Sequence, residues 1–194
     1  MTVVAPLRER RRSETRREIH RAAVDLALER GLAQVTVDDI ADAAGVSPRT
    51  FFNYFRTKPE ALVLGPPPLQ EASVERFVRA GGDRLLDDLR DLLVEYAELS
   101  RRERHELQRV HAVVLANPEL SPLLQERFLA FENVIAEAVA RRIGRTPPAF
   151  EASVIAAVAT GVLRATVRDW RDSDTEASLS DRLAEAFGTV RQLL

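Results

Sequence analysis

The sequence predicts an all-α protein of two domains, and three observations lead to this fold class. Apolar residues recur at three- and four-residue spacing along most of the chain, the pattern of helices that each bury one face. No segment shows the two-residue alternation of a half-buried strand. Glycine and proline form short clusters between the helical stretches, most strongly at Gly65-Pro66-Pro67-Pro68. We therefore predict helices throughout, with a domain boundary near this cluster.

The first predicted helix runs from about Ser13 to Arg30. Gly31 follows it, and glycine commonly closes a helix. His20 lies beside the apolar face, where a structural role is favoured over a chemical one. The residues of the expected buried stripe are Ile19, Ala22, Ala23, Leu26 and Ala27.

A second, shorter helix is predicted to begin after Thr36. Threonine is a good N-cap, and the acidic residues Asp38 and Asp39 in the first turn interact favourably with the helix dipole. Gly45 can adopt the left-handed backbone that ends a helix. The apolar face of this helix comprises Val37, Ile40, Ala41 and Ala44.

A third helix follows almost at once, because Ser47 can cap it and Pro48 fits its first turn. Phe51 and Phe55 are four residues apart and should pack inward. The segment therefore predicts a tight helix-turn-helix. The residues expected to face outward are Arg49, Thr50, Phe52, Asn53 and Tyr54.

This outward face is suited to the major groove of DNA, which admits a helix carrying donors and apolar groups. From Ala43 through Pro59 the chain has three basic residues and no acidic one, so nothing on this stretch repels phosphates. The alternative is a polar helical hairpin whose aromatic residues serve only the core. The residues of the turn specify a helix-turn-helix, and the lack of acidic residues suits contact with phosphates. Together these two observations favour DNA binding over the alternative.

The segment from Arg12 to Leu64 resembles the N-terminal DNA-binding domain of the TetR family of bacterial transcriptional regulators. The resemblance rests on Gly31, Val35-Thr36-Val37, Ala44-Gly45-Val46-Ser47, Phe52-Asn53-Tyr54-Phe55, Lys58 and Glu60. It implies phosphate contacts from Thr36, Tyr54 and Lys58, and it places Ser47, Arg49, Thr50, Phe52 and Asn53 in or beside the groove. The family usually has tyrosine at the position of Phe52, so a hydroxyl is missing there. With the flanking positions, the predicted DNA-binding set is Arg16, Arg17, Thr36, Ser47, Pro48, Arg49, Thr50, Phe52, Asn53, Tyr54 and Lys58.

Charge is unevenly distributed, although the net charge is -2. Residues 1–60 hold 11 basic and 9 acidic residues, and the remainder holds 17 and 21. Seven arginines stand close together near the N-terminus, either in a solvated leader or in an arm that reaches the adjacent minor groove. We expect a flexible basic arm over 1–12, a DNA-binding domain over 13–64 and a ligand-binding and dimerisation domain over 65–194. The seven arginines are Arg8, Arg10, Arg11, Arg12, Arg16, Arg17 and Arg21.

Proline in a helix interior is strongly unfavourable, so the Gly65 to Pro68 cluster should interrupt the fourth helix. In the TetR family this helix commonly links the ligand pocket to the DNA-binding domain, and the break puts a rigid one-piece lever in doubt. We predict a helix near 58–64, an extended elbow and a new helix near 69–79. Further helices are predicted near 83–100, 103–116, 120–143, 148–171 and 178–193.

The segment from Glu151 to Trp170 carries small residues at four-residue spacing, which allow another helix to approach closely. A dimer interface is one use, and the buried central helix of a monomeric bundle is the other. A homodimer is favoured because one helix-turn-helix reads few base pairs, whereas two-fold pairing reads both halves of a palindromic operator. The predicted interface residues are Ser153, Ala157, Gly161, Ala165, Leu183 and Phe187.

Apolar stripes on three later helices suggest a ligand pocket within the bundle, although such stripes more often pack as core. The stretch from Val113 to Leu120 is similar to a TetR subgroup of mycofactocin-system regulators, and this resemblance implies a long-chain acyl-CoA or other apolar effector. Arg104, Arg109 or Arg127 would then be available to an anionic head group. The predicted pocket residues are Leu89, Leu93, Tyr96, His111, Val114, Phe128, Phe131 and Ile135.

Other classes of function find little support in the sequence. The chain has no cysteine, no phosphate-binding glycine loop and no nucleophile paired with a base at recognisable spacing, so we expect neither an enzyme nor a metal site. No signal peptide or apolar run of membrane-spanning length is evident, and a cytoplasmic protein is expected. The leading hypothesis is a ligand-responsive repressor that binds operator DNA as a homodimer. The alternatives are a small-molecule-binding helical bundle and an effector-independent DNA-binding protein.

Overall fold

The computed structural model of the protein describes residues 7–100 and 104–193, and the predicted all-α fold class is confirmed for them. These residues form ten α-helices and two 3-10 turns, at Leu32–Gln34 and Pro118–Leu120, with no strand among them. The helices are α1 (Leu7–Arg30), α2 (Val37–Ala43), α3 (Pro48–Phe52), α4 (Lys58–Leu62), α5 (Glu71–Ala80), α6 (Leu85–Ser100), α7 (Arg104–Ala116), α8 (Ser121–Arg142), α9 (Phe150–Asp172) and α10 (Leu179–Leu193).

Helix α1 begins at Leu7, six residues before the predicted start at Ser13. Residues 7–12 contain leucine, glutamate and four arginines, all good helix formers, and Pro6 precedes them. The prediction treated this basic run as an arm, whereas the chain continues it as helix. Residues 1–6 of the predicted arm lie outside the described residues.

The chain forms two compact units, and their boundaries differ in one respect from the predicted domains. The N-terminal unit holds the described residues through Gly65 and also 109–125. The C-terminal unit holds 66–108 and 126–194, as far as these residues are described. The segment 109–125 joins the N-terminal core because Val113, Val114 and Leu120 are buried there. An apolar stripe indicates that a face is buried but not against which core, so the sequence alone did not assign this segment.

The N-terminal core forms between α1 and the short helices that follow it. The predicted α1 stripe is buried, together with Ile40, Phe51 and Leu62. The buried ring of His20 approaches the carbonyl oxygen of Ala61 at 2.7 Å through Nδ1, and the carbonyl can only accept, so Nδ1 carries the proton. The structural role predicted for His20 is confirmed.

The predicted interruption of the fourth helix is confirmed. Helix α4 ends at Leu62, α5 begins at Glu71, and residues 63–70 are not helical. Gly65 has φ +70°, in the left-handed region that favours glycine, and three prolines follow it. This stretch is where the chain passes from the N-terminal to the C-terminal unit.

In the C-terminal unit, helices α5, α6, α8, α9 and α10 share one apolar core. Leu89, Ile135, Ala156 and Leu183 are fully buried in it. The side chain of Arg142, only 2% exposed, donates hydrogen bonds to the carbonyl oxygens of two α5-end residues and pairs with a carboxylate on α6. These charge-assisted bonds offset the loss of hydration of the guanidinium. The partners of Arg142 are Phe77, Gly81 and Asp88.

Helix α9 corrects the expectation that no apolar run is long enough to span a membrane. By length and composition alone, this helix is long and apolar enough to cross a membrane. Its mean hydropathy is 1.5 over 18 residues, and a third of these residues are buried inside the protein. A single helix of this kind is weak evidence for a membrane span, because the core helix of a soluble protein can have the same length and composition. Here the buried Thr160 donates a hydrogen bond to Glu132 Oε2 at 2.6 Å, which ties α9 to α8.

Candidate nucleic-acid interface

The start of α2 is fixed by reciprocal hydrogen bonds between Thr36 and Asp39. The Asp39 backbone N–H donates to Thr36 Oγ1 at 3.1 Å, and the Thr36 backbone N–H donates to Asp39 Oδ2 at 2.8 Å. The Thr36 hydroxyl also donates to Asp39 Oδ2, at 2.5 Å. These bonds from Thr36 hold the pKa of the Asp39 carboxyl below its usual range. The predicted N-cap is confirmed, and the Thr36 hydroxyl is engaged in it.

The turn between α2 and α3 is a Schellman motif. The Val46 N–H donates to the Ala41 carbonyl oxygen at 2.9 Å, and the Gly45 N–H donates to that of Asp42 at 3.1 Å. Gly45 has φ +65°, a conformation that strains any residue with a Cβ. The turn therefore sets the direction in which α3 leaves α2.

Helix α3 begins with a side-chain cap and is anchored by two aromatic rings. The Thr50 N–H donates to Ser47 Oγ at 3.1 Å, and Pro48 occupies the first turn, as predicted. Phe51 and Phe55 are buried, with ring centroids 5.8 Å apart, so their inward packing is confirmed. The guanidinium of Arg16 lies over the Phe55 ring at 5.2 Å.

The opposite side of α3 is exposed. Arg49 and Asn53 are exposed, Thr50 and Tyr54 are half-buried, and Phe52 is 57% exposed although it is apolar. The Phe52 ring meets the buried Phe51 ring edge to face at 5.5 Å. A large exposed aromatic group beside donors is the arrangement that touches thymine methyl groups and base edges in a groove.

Lys58 is more deeply involved in the fold than its predicted role implies. Its half-buried ammonium donates to the carbonyl oxygens of Leu32 at 2.8 Å and Val35 at 2.5 Å. An ammonium has three N–H donors, so one remains for an external acceptor. The predicted phosphate contact of Lys58 is compatible with this geometry through that third donor.

A cap at the start of α4 escaped the sequence analysis. The Glu60 N–H donates to Thr57 Oγ1 at 3.3 Å, and Glu60 Oε2 accepts from the Arg56 N–H at 2.9 Å. The signal was present as Thr57 followed by Glu60 three residues later, the spacing of a capping box. Arg56 is exposed and adds a positive charge beside α3.

The eight residues predicted to line a ligand pocket are divided between the two compact units. His111 and Val114 belong to the N-terminal unit and the other six to the C-terminal unit. Leu89, Leu93 and Ile135 are completely buried in apolar core. These three side chains therefore pack as core, which was the alternative to a ligand pocket. Two open depressions of about 430 and 380 Å³ in the described part of the chain are lined mainly by charged residues, and none of the eight lines them. The remaining predicted residues are Tyr96, Phe128 and Phe131, of which Phe128 is half-buried and the other two buried.

The predicted dimer residues separate into an exposed and a buried group. Ser153, Ala157 and Ala165 lie exposed on α9, and Gly161 is half-exposed beside them. Leu183 and Phe187 correct the prediction, because they are buried in the core of the C-terminal unit. Apolar periodicity on α10 indicates a buried face, but it does not show whether that face packs in the core of its own chain or in a dimer interface. Two further apolar residues of α9, Val154 and Val158, are 46% and 44% exposed on the face that the sequence indicated.

Both the N-terminal and the C-terminal part of the chain are similar to known protein families. A family model described as bacterial regulatory proteins of the tetR family matches residues 19–64, and one described as the MftR C-terminal domain matches residues 83–194. A Mycobacterium tuberculosis protein assigned as the mycofactocin biosynthesis transcriptional regulator MftR is 32% identical, covering 93% of this chain and 91% of that protein. The HTH-type transcriptional regulator TcmR of Streptomyces glaucescens is 31% identical, covering 95% and 86%.

A solved structure agrees with this assignment. FadR of Thermus thermophilus, a TetR family transcriptional repressor crystallised with lauroyl-CoA, has a TM-score of 0.52 and 26% identity, with 91% of this chain and 93% of that one covered. The match spans both units. The chain belongs to the TetR family of bacterial transcriptional regulators.

Proposed function

We propose that the protein is a homodimeric transcriptional repressor that binds a palindromic operator in the cytoplasm and releases it when an amphipathic acyl ligand binds. The observation that carries the DNA-binding part is the exposed face of α3 over its two buried rings. The proposal gives the chain no catalytic role. Each of its three parts, the DNA contact, the dimer and the effector, has its own support.

For DNA binding, α3 supplies the base contacts and its surroundings supply the phosphate contacts. Arg49 and Asn53 are exposed and carry guanidinium and amide N–H donors, which suit guanine and adenine edges in the major groove. Tyr54 and the third N–H of Lys58 would contact phosphates, which fix orientation without reading sequence. Phe51 and Phe55 keep α3 rigid, so little ordering is needed on binding.

For dimerisation, the exposed side of α9 provides a narrow apolar strip. Val154, Ala157, Val158 and Ala165 lie outside, whereas Ala156 on the same helix is completely buried. Small residues allow two helices to approach closely, and the valines add apolar area that leaves water. A two-fold axis at this strip would give two recognition helices for two half-sites about 34–36 Å apart.

For the effector, support comes from relatives and from composition. The lauroyl-CoA in Thermus thermophilus FadR makes an acyl-CoA the first ligand to test. The apolar core of the C-terminal unit offers surroundings suited to an acyl chain. Because Leu89, Leu93 and Ile135 are fully buried in this core, the ligand would stabilise a conformation in which the core opens. It can release DNA only if it binds that conformation more tightly than the operator-binding one.

A titration of the purified full-length protein tests the proposal. Fluorescence anisotropy would measure binding to a labelled duplex from the region upstream of its own gene and to a shuffled duplex of equal length. We expect tighter binding to the native duplex, an affinity that falls steeply with salt, and release by lauroyl-CoA but not by CoA alone.

The outcomes separate the proposed function from its alternatives. Equal binding to both duplexes would count against operator recognition and favour an architectural DNA-binding protein. Tight lauroyl-CoA binding without any DNA binding would favour a small-molecule-binding bundle. Selective DNA binding that no acyl ligand reverses would remove the acyl effector and leave the DNA-binding assignment intact.

A further inference from the structure

Phe52 differs from the other phenylalanine and tyrosine residues that the structure describes in the N-terminal unit. It is 57% exposed, whereas Phe51 and Phe55 are buried and Tyr54 is half-buried. Its ring therefore contributes little to the core of the unit, and most of its apolar surface is open to a binding partner.

The fold holds this exposed ring in place. The Phe52 ring meets the Phe51 ring edge to face, with centroids 5.5 Å apart and planes at 86°. Phe51 is completely buried and packs against Phe55, and the cap from Ser47 to the Thr50 N–H fixes the first turn of the helix. A ring held in this way loses little conformational entropy when it binds.

The neighbours of Phe52 on α3 suit DNA. Arg49, three residues earlier on the same face, and Asn53, the next residue, are exposed hydrogen-bond donors. Pro48, one turn earlier, is exposed and apolar. From Ala43 through Pro59 the chain has three basic residues and no acidic one. An apolar ring in a positively charged stretch favours the groove of an anionic duplex over an apolar protein surface as its partner.

The chemistry of the Phe52 side chain limits what it can recognise in the major groove. The ring has no donor or acceptor, so against the polar edges of guanine, adenine or cytosine it would remove water without replacing a hydrogen bond. The apolar group that the major groove presents is the methyl group on C5 of thymine. 5-Methylcytosine carries a methyl group on the same ring carbon, and this methyl group lies at the same place in the groove.

We propose that Phe52 recognises the C5-methyl group of one pyrimidine in each half-site, on thymine or on 5-methylcytosine. The inference rests on the proposed function, because it assigns one base contact of the recognition helix. One consequence reaches beyond operator recognition. Where the contacted base is cytosine, its methylation strengthens binding, so that the affinity of the protein responds to the methylation state of the DNA.

The first part of the test removes single methyl groups from the DNA. Anisotropy would measure binding of the full-length protein to the duplex from the region upstream of its own gene, with each symmetry-related pair of thymines replaced in turn by deoxyuridine. We expect one replacement to weaken the wild type about 3- to 10-fold and to have no effect on Phe52→Ala. Leu115→Ala is the matched control, since Leu115 is an exposed apolar residue outside α3, and it should keep the wild-type difference.

This comparison is a double-mutant cycle between a ring on the protein and a methyl group on the DNA. It separates direct contact from any effect of the methyl group on DNA shape, because a shape effect would persist in Phe52→Ala. Methyl effects of equal size in the wild type and Phe52→Ala therefore overturn the inference, and so does the absence of any methyl effect in the wild type.

The second part of the test distinguishes the two sources of the methyl group. At the position found with deoxyuridine, the base pair is changed to cytosine or 5-methylcytosine opposite guanine. The wild type should bind the 5-methylcytosine duplex more tightly by about the same factor, and Phe52→Ala should bind both equally. A thymine effect without a 5-methylcytosine effect keeps the thymine contact and overturns the response to cytosine methylation.

Stability and assembly show whether the ring instead packs within the protein. Because Phe52 is exposed, Phe52→Ala should keep the Tm and the oligomeric state of the wild type, whereas Phe51→Ala should lower the Tm. A Tm lowered equally by both variants, or a changed oligomeric state in Phe52→Ala, assigns the ring to a protein contact and overturns the inference. Selective binding of the upstream duplex without a methyl effect through Phe52 leaves the proposed function intact. Equal binding to the upstream and shuffled duplexes overturns both.

Discussion

The hydroxyl of Thr36 donates to the carboxylate of Asp39 at 2.5 Å while it accepts from the Asp39 backbone N–H at 3.1 Å. Thr36 was assigned a phosphate contact by family resemblance, and its hydroxyl proton is already committed to the cap. An operator phosphate would therefore have to compete with Asp39 for that proton. The cap thus links the stability of α2 to the strength of DNA binding.

The first prediction concerns pH. The pKa of Asp39 is lowered in the folded protein by the Thr36 bonds, so its ionised form stabilises the fold above the unfolded-state pKa near 3.8. That contribution is lost as pH falls through the lower folded-state pKa. We expect Asp39→Ala to be less stable than the wild type by a constant margin above pH 5, and the margin to narrow below pH 4. Urea unfolding at several pH values would measure it, and a margin independent of pH would show that the carboxylate charge is not involved.

The second prediction separates the two roles of Lys58. Lys58→Met leaves the carbonyl groups of Leu32 and Val35 without their donor, which should cost about 1–3 kcal/mol of unfolding free energy. If the third N–H also contacts a phosphate, the slope of log affinity against log salt should decrease in magnitude by about 0.9 for each subunit, or about 1.8 for the proposed dimer. Denaturant unfolding and anisotropy at several salt concentrations measure the two effects. A weakened affinity with an unchanged slope would mean that Lys58 acts on DNA only through the fold.

Tyr54→Phe is the matched comparison for a phosphate contact. Tyr54 is half-buried, and the ring that packs is retained, so stability should be almost unchanged. Loss of its hydroxyl should weaken all operator variants by a similar factor, because phosphates carry no sequence information. Unequal losses among operator variants would instead place Tyr54 at a base.

The local rules of the helix-turn-helix made it the most predictable part of the chain. Thr36, Gly45 and Ser47 each specify a cap or turn from their own chemistry, and the structure has each in that role. The proline interruption after Leu64 was predictable for the same reason. Such features can be predicted without knowing the tertiary fold, because the interacting groups lie within a few residues of each other in the sequence.

The features that could not be predicted depend on distant partners. Leu183 has the same apolar spacing whether it faces its own bundle or a second subunit, and it is buried in its own. Val114 likewise packs with the N-terminal core although it follows the boundary by 50 residues.

The third prediction concerns base readout by α3. Arg49→Ala should reduce discrimination between operator variants by about 1–3 kcal/mol at the base pair it reads, with a smaller effect at other positions. Phe52→Tyr restores the hydroxyl usual in the family, and on this exposed side chain it should change base preference without changing the Tm. Anisotropy against a set of single-base operator variants measures both. Uniform losses for Arg49→Ala across the set would assign that residue to the DNA backbone.

The fourth prediction concerns the exposed side of α9. Ala157 lies on that side, so arginine there would place a long charged side chain where the two α9 helices of the proposed dimer would approach closely. We expect Ala157→Arg to convert the dimer to a monomer in sedimentation and to weaken operator binding by about 100-fold or more, because two linked half-site contacts become one. Ala184→Arg is the control, since Ala184 is an exposed alanine on α10 outside the proposed interface. The Tm of a monomeric Ala157→Arg protein should report a folded chain, because Ala157 makes no contribution to the buried core. A dimer that survives Ala157→Arg but dissociates with Ala184→Arg would move the interface from α9 to α10.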